Sequence, residues 1–229
     1  MRICLLLFVV LFISCGETGK RGTFEQNTAA LSENSGEAVF DSLNRFLGKV
    51  RAEAKTSFVV SEPDSFRSLK ALRKWLESDK YMHEYTGAKL QNAPRTQEEN
   101  ANVTVTDLYI FGVKREDDND FHLILASYPK LSENQVFFSA EISGLPDPSS
   151  QYYQQLFAVR EKFKAYFGEA TEKETVFVAS KKKPPVHLVS ITGSLFFDNH
   201  HYNGHSSVQG YKSSSAWEIH PVTSIIFDE

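Results

Sequence analysis

Cysteine is scarce in this chain of 229 residues. The two cysteines, Cys4 and Cys15, both lie at the extreme N-terminus, so no disulfide can form in the remainder of the chain. The paired cysteines of zinc ribbons and thiol oxidoreductases are therefore missing. The chain also has no glycine-rich phosphate loop, no serine nucleophile elbow and no internal repeat. These absences exclude P-loop nucleotide hydrolases, serine esterases and repeat proteins.

An excess of basic residues is also absent. The 25 Lys and Arg residues are outnumbered by 29 Asp and Glu, which gives a formal charge of -4. Nothing global therefore attracts the chain to nucleic acid or to anionic lipid headgroups. A hydrophobic content of 41% is ordinary for a globular protein and sufficient for one well-buried domain.

The N-terminus carries the pattern of an export signal. Arg2 precedes an apolar run of about eleven residues at 3–13, the size of a signal-peptide core and too short to span a bilayer. Bulky apolar residues and Ser14 then precede Cys15, as in a lipobox. We expect acylation of Cys15 and an extracytoplasmic chain anchored to the lipid bilayer. The alternative is ordinary secretion after cleavage behind Gly16, but Cys15 would then be an unpaired thiol in an oxidising compartment.

The rest of the chain divides by composition and periodicity. Residues 1–15 form the predicted signal peptide and residues 16–36, rich in polar residues, a flexible tether. Residues 37–102 are predicted to form a helical N-terminal region. Its first helix runs from 37 to Val50, and a second begins after Pro63. Residues 103–229 form the predicted β domain.

Within the β domain the apolar residues alternate with period two. The predicted strands span 103–114, 121–127, 135–142, 176–197 with a break at 181–185, and 216–227, and a helix at 151–167 separates the third from the fourth. This order matches an OB-type barrel, a five-stranded Greek key with a helix between its third and fourth strands. The staphylococcal-type nucleases share this topology, but topology alone carries no function. The fold class is thus mainly β with flanking helices.

Acidic residues and histidines recur together on these strands. An acid-x-His pattern occurs three times: Asp120 with His122, Asp198 with His200, and Glu218 with His220. Residues two apart on a strand face the same side, so such pairs form polar rows. Glu141 also stands where an apolar residue would be expected, between Ala140 and Ile142.

These side chains can serve as ligands of a divalent metal ion. The predicted ligands are Asp118, Asp120, Glu141, Asp198, His201 and Glu218. The oxygen atoms suit calcium, magnesium or manganese, while the imidazoles admit zinc, and spacing does not choose among them. The alternative is a set of buried carboxylates that accept hydrogen bonds from neighbouring imidazoles, with neither metal nor substrate.

Three functions remain open. The leading hypothesis is a cell-envelope binding or interaction module whose acid and histidine cluster organises one barrel end, with or without a metal. The second is a metal-dependent phosphodiesterase with His122 or His220 as general base and Arg160 stabilising phosphoryl charge. The third is a purely structural component of the envelope.

Several short motifs resemble those of a widespread group of secreted bacterial proteins. They lie at 116–123, 140–142, 146–148, 191–193, 196–201 and 218–222, so the resemblance covers 103–227. The group has no established activity, and what the resemblance implies is a set of matching positions: Asp118, Asp120, His122, Glu141, Arg160, Asp198, His201, Glu218 and His220. The serine-rich segment after His205 departs from the group's pattern.

Overall fold

The computed structural model describes residues 44–84, 92–202 and 207–228. The predicted signal peptide, Cys15 and the tether lie outside the described residues. Described residues from 44 onward belong to one compact unit, Phe40–Glu229. No helix in the described part of the chain is both long and apolar enough to cross a membrane.

Short elements precede the barrel: α1 (Ala52–Thr56), β1 (Asp64–Phe66), α2 (Leu69–Trp75) and α3 (Asp79–Glu84). The predicted second helix corresponds to α2, which buries Leu69 and Leu72 and is capped where the Ser68 hydroxyl accepts from the Ala71 backbone N–H at 3.2 Å. The helix begins later than Pro63 because residues of β1 pair in parallel with the first barrel strand.

The predicted first helix is wrong over its described part. Residues 44–50 are not helical, because their backbone groups bond to barrel loops instead of to one another. The Phe46 N–H donates to the Leu145 carbonyl at 2.9 Å, and the Leu47 N–H donates to the Asp118 carbonyl at 3.0 Å. Tertiary partners have overridden the helical periodicity of the apolar side chains.

The described part of the chain continues with β2 (Asn102–Arg115), β3 (Phe121–Ala126), β4 (Phe137–Ile142), α4 (Tyr153–Phe167), β5 (Thr175–Val178), β6 (Val186–Phe197), β7 (Ser207–Val208), β8 (Tyr211–Lys212) and β9 (Trp217–Phe227). Two short 3₁₀-helices lie between them, at Gly168–Glu172 and at Asn199–His201. Strands β2, β3, β4, β9 and β6 pair in that order, and β6 pairs with β2 to close a five-stranded barrel. All these pairs are antiparallel except β4 with β9. Since α4 joins the third and fourth barrel strands, the structure confirms the predicted fold class.

The predicted fourth strand is two strands with different roles. After the break, β6 belongs to the barrel, whereas β5 pairs with β2 outside it. The serine-rich loop contains a small hairpin, β7 with β8, that the sequence does not predict. The hairpin lies close to β2, where a Cβ added to Gly112 would come within 2.7 Å of the Val208 Cβ. Only glycine fits at that position without a shift.

The barrel interior is apolar along most of its length. Leu123, Leu125, Phe138, Leu195 and Ile219 are fully buried there, and α4 covers it with Val159 and Phe163. Buried and exposed residues do not alternate along β3, because every residue of this strand is buried. A polar residue on such a strand must therefore be satisfied inside the protein, which is the situation of His122.

A buried ion pair ties the N-terminal region to the barrel. Arg51 contacts both carboxylate oxygens of Glu99, at 2.7 and 2.5 Å. Glu99 also accepts the backbone N–H of Thr96 at 2.7 Å and of Phe197 at 2.8 Å. The side chains of the pair are 2% and 0% exposed. Because Phe197 directly precedes Asp198, this pair fixes the end of β6 where that carboxylate lies.

Candidate functional site

Most of the predicted acidic residues and histidines meet at one end of the barrel. The register brings His122 opposite Glu141 between β3 and β4, and Ser139 opposite Glu218 between β4 and β9. His220 lies two residues after Glu218 and therefore points to the same face of β9, opposite to the face of Ile219, which packs in the apolar core. Three neighbouring strands thus direct polar side chains into one volume, which we call the acid–histidine network.

Two glutamates form the centre of the network, and each lies between two imidazoles. Glu141 Oε1 lies 2.7 Å from His122 Nδ1, and its Oε2 lies 2.9 Å from His220 Nδ1. Glu218 Oε1 lies 2.7 Å from His201 Nδ1, and its Oε2 lies 3.7 Å from His220 Nδ1. His220 therefore connects two carboxylate–imidazole pairs.

On its other side, His220 faces Asp120. His220 Nε2 lies 3.3 Å from Asp120 Oδ2, and Asp120 Oδ1 accepts the Gly144 backbone N–H at 2.6 Å. This backbone bond fixes the carboxylate and thereby the ring that faces it. A carboxylate behind an imidazole in this manner is the usual support for a metal-binding histidine.

Among the residues that the structure describes, three groups have donor atoms close enough to hold an ion. They are Glu116 with His122 and Glu141, Asp120 with Glu141 and His220, and Asp198 with His201 and Glu218, and the donor atoms within each group lie within 4.8 Å of one another. The first and third groups are built alike. In each, one imidazole Nδ1 lies 2.7 Å from a buried glutamate and 3.7 or 3.8 Å from a more exposed carboxylate.

The interior of the network is sealed, and it is not fully hydrogen-bonded. Asp120, His122, Glu141, Glu218 and His220 are all 0% exposed. Among the described residues, Asp120 Oδ2, Glu141 Oε2, Glu218 Oε2 and both ring nitrogens of His220 make no aligned hydrogen bond. These atoms still face one another as ion pairs, since His220 Nδ1 lies 2.9 Å from Glu141 Oε2 and His220 Nε2 lies 3.3 Å from Asp120 Oδ2. Opposite charges, and not well-aligned hydrogen bonds, therefore hold the centre of the network together.

The network opens to solvent at its edge. The Asp198 and His201 side chains are 10% and 15% exposed. Asp198 also lines a cavity of about 120 Å³ together with Lys55 and His200. The Lys55 Nζ lies 3.6 Å from Asp118 Oδ2 and 3.9 Å from Asp198 Oδ2. The Asp198 group is therefore nearer to solvent than the Asp120 group, whose three side chains are all 0% exposed.

The carboxyl groups of the two central glutamates are ionised. Burial raises the pKa of such a group, but the charges of His220 and Lys55 outweigh this effect and hold the pKa of Glu141 well below its usual range. Burial and the Glu141 charge raise the pKa of Glu218, yet the His201 imidazolium lowers it to about 2. Asp120 differs, because burial raises its pKa to about 7.

The cationic members of the network hold their protons. Burial lowers the pKa of His201, but the neighbouring Glu218 carboxylate raises it to about 9. The Glu141 carboxylate likewise overcomes burial and raises the pKa of His122, and it raises that of His220 well above its ordinary value. The pKa of Lys55 is also raised well above its ordinary value, since Glu141 and other carboxylates outweigh burial. A metal ion binding at an imidazole here replaces a proton.

The acid-x-His pattern predicts which residues belong to the network, but it does not predict which carboxylate pairs with which imidazole. The nearest carboxylate of His122 is Glu141, on the neighbouring strand, and not Asp120 two residues away. Directly opposite residues on paired strands are closer than residues two apart on one strand. In the second pair, Asp198 with His200, the His200 ring is exposed and its backbone N–H donates to Asp198 Oδ1 at 2.8 Å, while the ring of His201 enters the network.

Two predicted residues lie at the margin. Asp118 joins the network through Lys55, and its Oδ1 accepts the Asp120 N–H at 3.3 Å. Arg160 is completely buried on the inner face of α4, where its Nε donates to Asn44 Oδ1 at 3.0 Å and its guanidinium group lies 4.4 Å over the centre of the Phe121 ring. This environment supports a packing role for Arg160, and its role toward phosphoryl groups stays a prediction.

Sequence reasoning did not single out Lys55, Arg51 or Glu99. Arg51 and Lys55 are four residues apart, at the start and within α1, so one short helix supplies both cations. The predicted helix ended at Val50, and nothing in the polar stretch around Glu99 indicates burial. No sequence signal distinguishes these residues from ordinary surface charges.

Comparison of the chain with family models, with curated proteins and with solved structures finds no match. The motif resemblance to secreted bacterial proteins therefore has no further support, and the closed barrel is consistent with the OB-like part of that expectation alone. Function has to be argued from the geometry of the network.

Proposed function

We propose that the protein is an extracytoplasmic, lipid-anchored binding module that holds one divalent transition-metal ion between Asp198, His201 and Glu218. The observation that carries the proposal is the convergence of these donors on one ring nitrogen. His201 Nδ1 lies 2.7 Å from Glu218 Oε1 and 3.8 Å from Asp198 Oδ2. Donors about 2.1 Å from an ion in tetrahedral geometry are roughly 3.4 Å apart, so modest adjustment accommodates one.

The atoms behind these donors are arranged to support them. Asp198 Oδ1 accepts the His200 backbone N–H, which leaves Oδ2 for the ion. Glu218 Oε2 faces His220 Nδ1 at 3.7 Å, and His220 in turn faces Asp120. Such outer contacts orient metal ligands and raise their basicity. The inner part of the network thus supports the donor set at the open edge.

The donor chemistry indicates the class of metal. One imidazole and two carboxylates suit zinc, manganese or ferrous iron better than calcium, which prefers six to eight oxygen ligands. Zinc binds more tightly than manganese to a given nitrogen and oxygen site. Three protein ligands leave at least one coordination position for water or a ligand of the module. Zinc is therefore the best first probe.

The location of this module follows from the sequence. The signal pattern before Cys15 and the polar segment 16–36 support a lipid-anchored domain outside the cytoplasm. Periplasmic or extracellular exposure also means that the site competes for metal outside the reducing, metal-buffered interior. Labelled palmitate should enter the wild-type protein and not Cys15→Ala, and its failure to enter the wild type would leave simple secretion.

Metal binding is tested on the untagged mature chain carrying Cys15→Ser, which removes the thiol. We expect calorimetric titration to give one zinc ion per chain, weaker binding of manganese, and little binding of calcium or magnesium. At one hundred times Kd, a ligand that binds only the folded state adds about 2.7 kcal/mol of stability. The melting temperature should therefore rise by roughly 5–10 °C with zinc and return with a chelator. Absence of stoichiometric binding would identify the network as purely structural.

A metal-dependent phosphodiesterase is the second candidate function. The observation that favours it is the second, similarly built group, which consists of Glu116, His122 and Glu141. The centroid of the His122 ring lies 5.8 Å from that of the His201 ring, so the two groups are neighbours. Paired metal ions stabilise both the attacking and the leaving oxygen in such hydrolases. Zinc- or manganese-dependent cleavage of a chromogenic phosphodiester should then fall about a hundredfold in His122→Ala, because the second group loses its imidazole ligand. Equal turnover in wild type and variant would remove this candidate.

A further inference from the structure

Lys55 lies at the open edge of the network, between two carboxylates. Its Nζ lies 3.6 Å from Asp118 Oδ2 and 3.9 Å from Asp198 Oδ2, and its side chain is only 11% exposed. Charge-assisted hydrogen bonds of this type measure about 2.7–2.9 Å, so the ammonium group is held by charge and not by tight bonds. It lies 5.7 Å from the Phe196 ring centroid. The two carboxylates therefore balance the positive charge of Lys55 without a close hydrogen bond to it.

The backbone of Lys55 is fixed, in contrast to its ammonium group. Its carbonyl accepts the Ser143 hydroxyl at 2.8 Å, at the end of β4, and its N–H donates to the Arg51 carbonyl at 3.0 Å. Arg51 is itself held by the buried pair with Glu99. These backbone hydrogen bonds therefore fix the position from which the Lys55 side chain extends toward the network.

The ammonium group lies beside the cavity at the open edge of the network. Lys55 and Asp198 line the same cavity of about 120 Å³, and the side chain of Asp198 is 10% exposed. The same oxygen, Asp198 Oδ2, faces both Lys55 and His201 Nδ1. A dication bound at that oxygen and the lysine cation cannot both approach it closely, because two positive charges repel strongly where the effective dielectric constant is low.

We propose that Lys55 is the internal counter-ion of the metal centre: it neutralises Asp198 in the metal-free protein and is displaced toward Asp118 when a dication binds. This inference rests on the proposed metal site. Asp118 gives the displaced ammonium group a second carboxylate, at 3.6 Å. Lys55 thus sets the affinity by competition, and it keeps the acidic cluster stable while no metal is bound.

If Lys55 competes with the ion for Asp198, replacing Lys55 with an uncharged residue should raise the affinity for zinc. In Lys55→Met the competing charge is absent, so zinc should bind at least tenfold more tightly than to the wild-type chain. The metal-free variant should be less stable than wild type, because Asp118 and Asp198 lose their counter-charge, and zinc should restore more of its melting temperature. Lys49→Met removes the same charge from an exposed position close by and should leave the zinc affinity unchanged.

The counter-ion role of Lys55 is tested by calorimetric titration of zinc into the wild type, Lys55→Met and Lys49→Met. Lys55→Gln, which keeps a polar side chain beside Asp118, is included in case the methionine variant does not fold. Tighter binding in either folded Lys55 variant supports the inference, even if the wild type binds no zinc. If the wild type binds zinc and the Lys55 variants bind it equally or more weakly, the counter-ion role is overturned while the metal site stands. If no protein binds zinc, both proposals fail.

Discussion

Replacing His201 with alanine is expected to weaken zinc binding by roughly a hundredfold or more. Loss of an outer partner of a metal ligand already costs ten- to a hundredfold in affinity, and His201 supplies the only nitrogen of the proposed donor set. Its Nδ1 is also the atom on which the two carboxylate oxygens converge, at 2.7 and 3.8 Å. Without the imidazole ring, the nitrogen ligand between Asp198 and Glu218 is lost, and only the two carboxylates remain to bind the ion.

The neighbouring residue provides a matched control. His200 is adjacent in sequence, is exposed, and contacts Asp198 only through its backbone N–H, which His200→Ala retains. That variant should bind zinc as the wild type does. Both affinities are measured by calorimetry, with circular dichroism to confirm that each variant is folded. Equal losses in the two variants would indicate adventitious binding by surface histidines and would contradict the assigned donor set.

Breaking the Arg51–Glu99 pair is expected to lower the free energy of unfolding by about 3–5 kcal/mol, the usual cost of removing one partner from a buried ion pair. In Arg51→Met the Glu99 carboxylate keeps two backbone donors, Thr96 and Phe197, but loses both of its guanidinium contacts. A carboxylate that is 0% exposed cannot recover this loss from water. Urea denaturation of the metal-free protein measures the difference.

The comparison for this variant is an ion pair of the same chemistry at the surface. Arg73 contacts Asp79 at 2.9 Å, but the two side chains are 31% and 22% exposed. Arg73→Met should cost at most about 1 kcal/mol, since exposed pairs contribute little. A loss of similar size in both variants would mean that the Arg51 pair does not tie the N-terminal region to the barrel.

The barrel could be predicted from the sequence because its strands are short segments bounded by turns and their order matches an OB-type barrel. Residues 103–114 alternate over their first half, and residues 121–127 form a short, mostly apolar run between polar turns, which gives β2 and β3 within one or two residues. The helix over 44–50 could not be excluded, since its apolar spacing is helical and only backbone bonds to Leu145 and Asp118 oppose it. Pairing of β5 outside the barrel depends on long-range contacts that no local pattern encodes.

The members of the site could be predicted, but their partners could not. Glu141 attracted attention as a charge among apolar residues, and it proves to be the residue that joins His122 to His220. Which imidazole meets which carboxylate depends on register, which sets cross-strand neighbours. Lys55 was missed because a lysine in a short helix is ordinarily solvated, and only the tertiary fold places it beside Asp198.

A metal ion held between Asp198, His201 and Glu218 at the open edge of the network can be located by anomalous diffraction. Crystals of the mature chain are grown with zinc, and data are collected on both sides of the zinc absorption edge. We expect a single strong peak about 2.1 Å from His201 Nδ1, with carboxylate oxygens of Asp198 and Glu218 at similar distances. A network that contains no peak, or zinc bound only at exposed histidines such as His200, would contradict it.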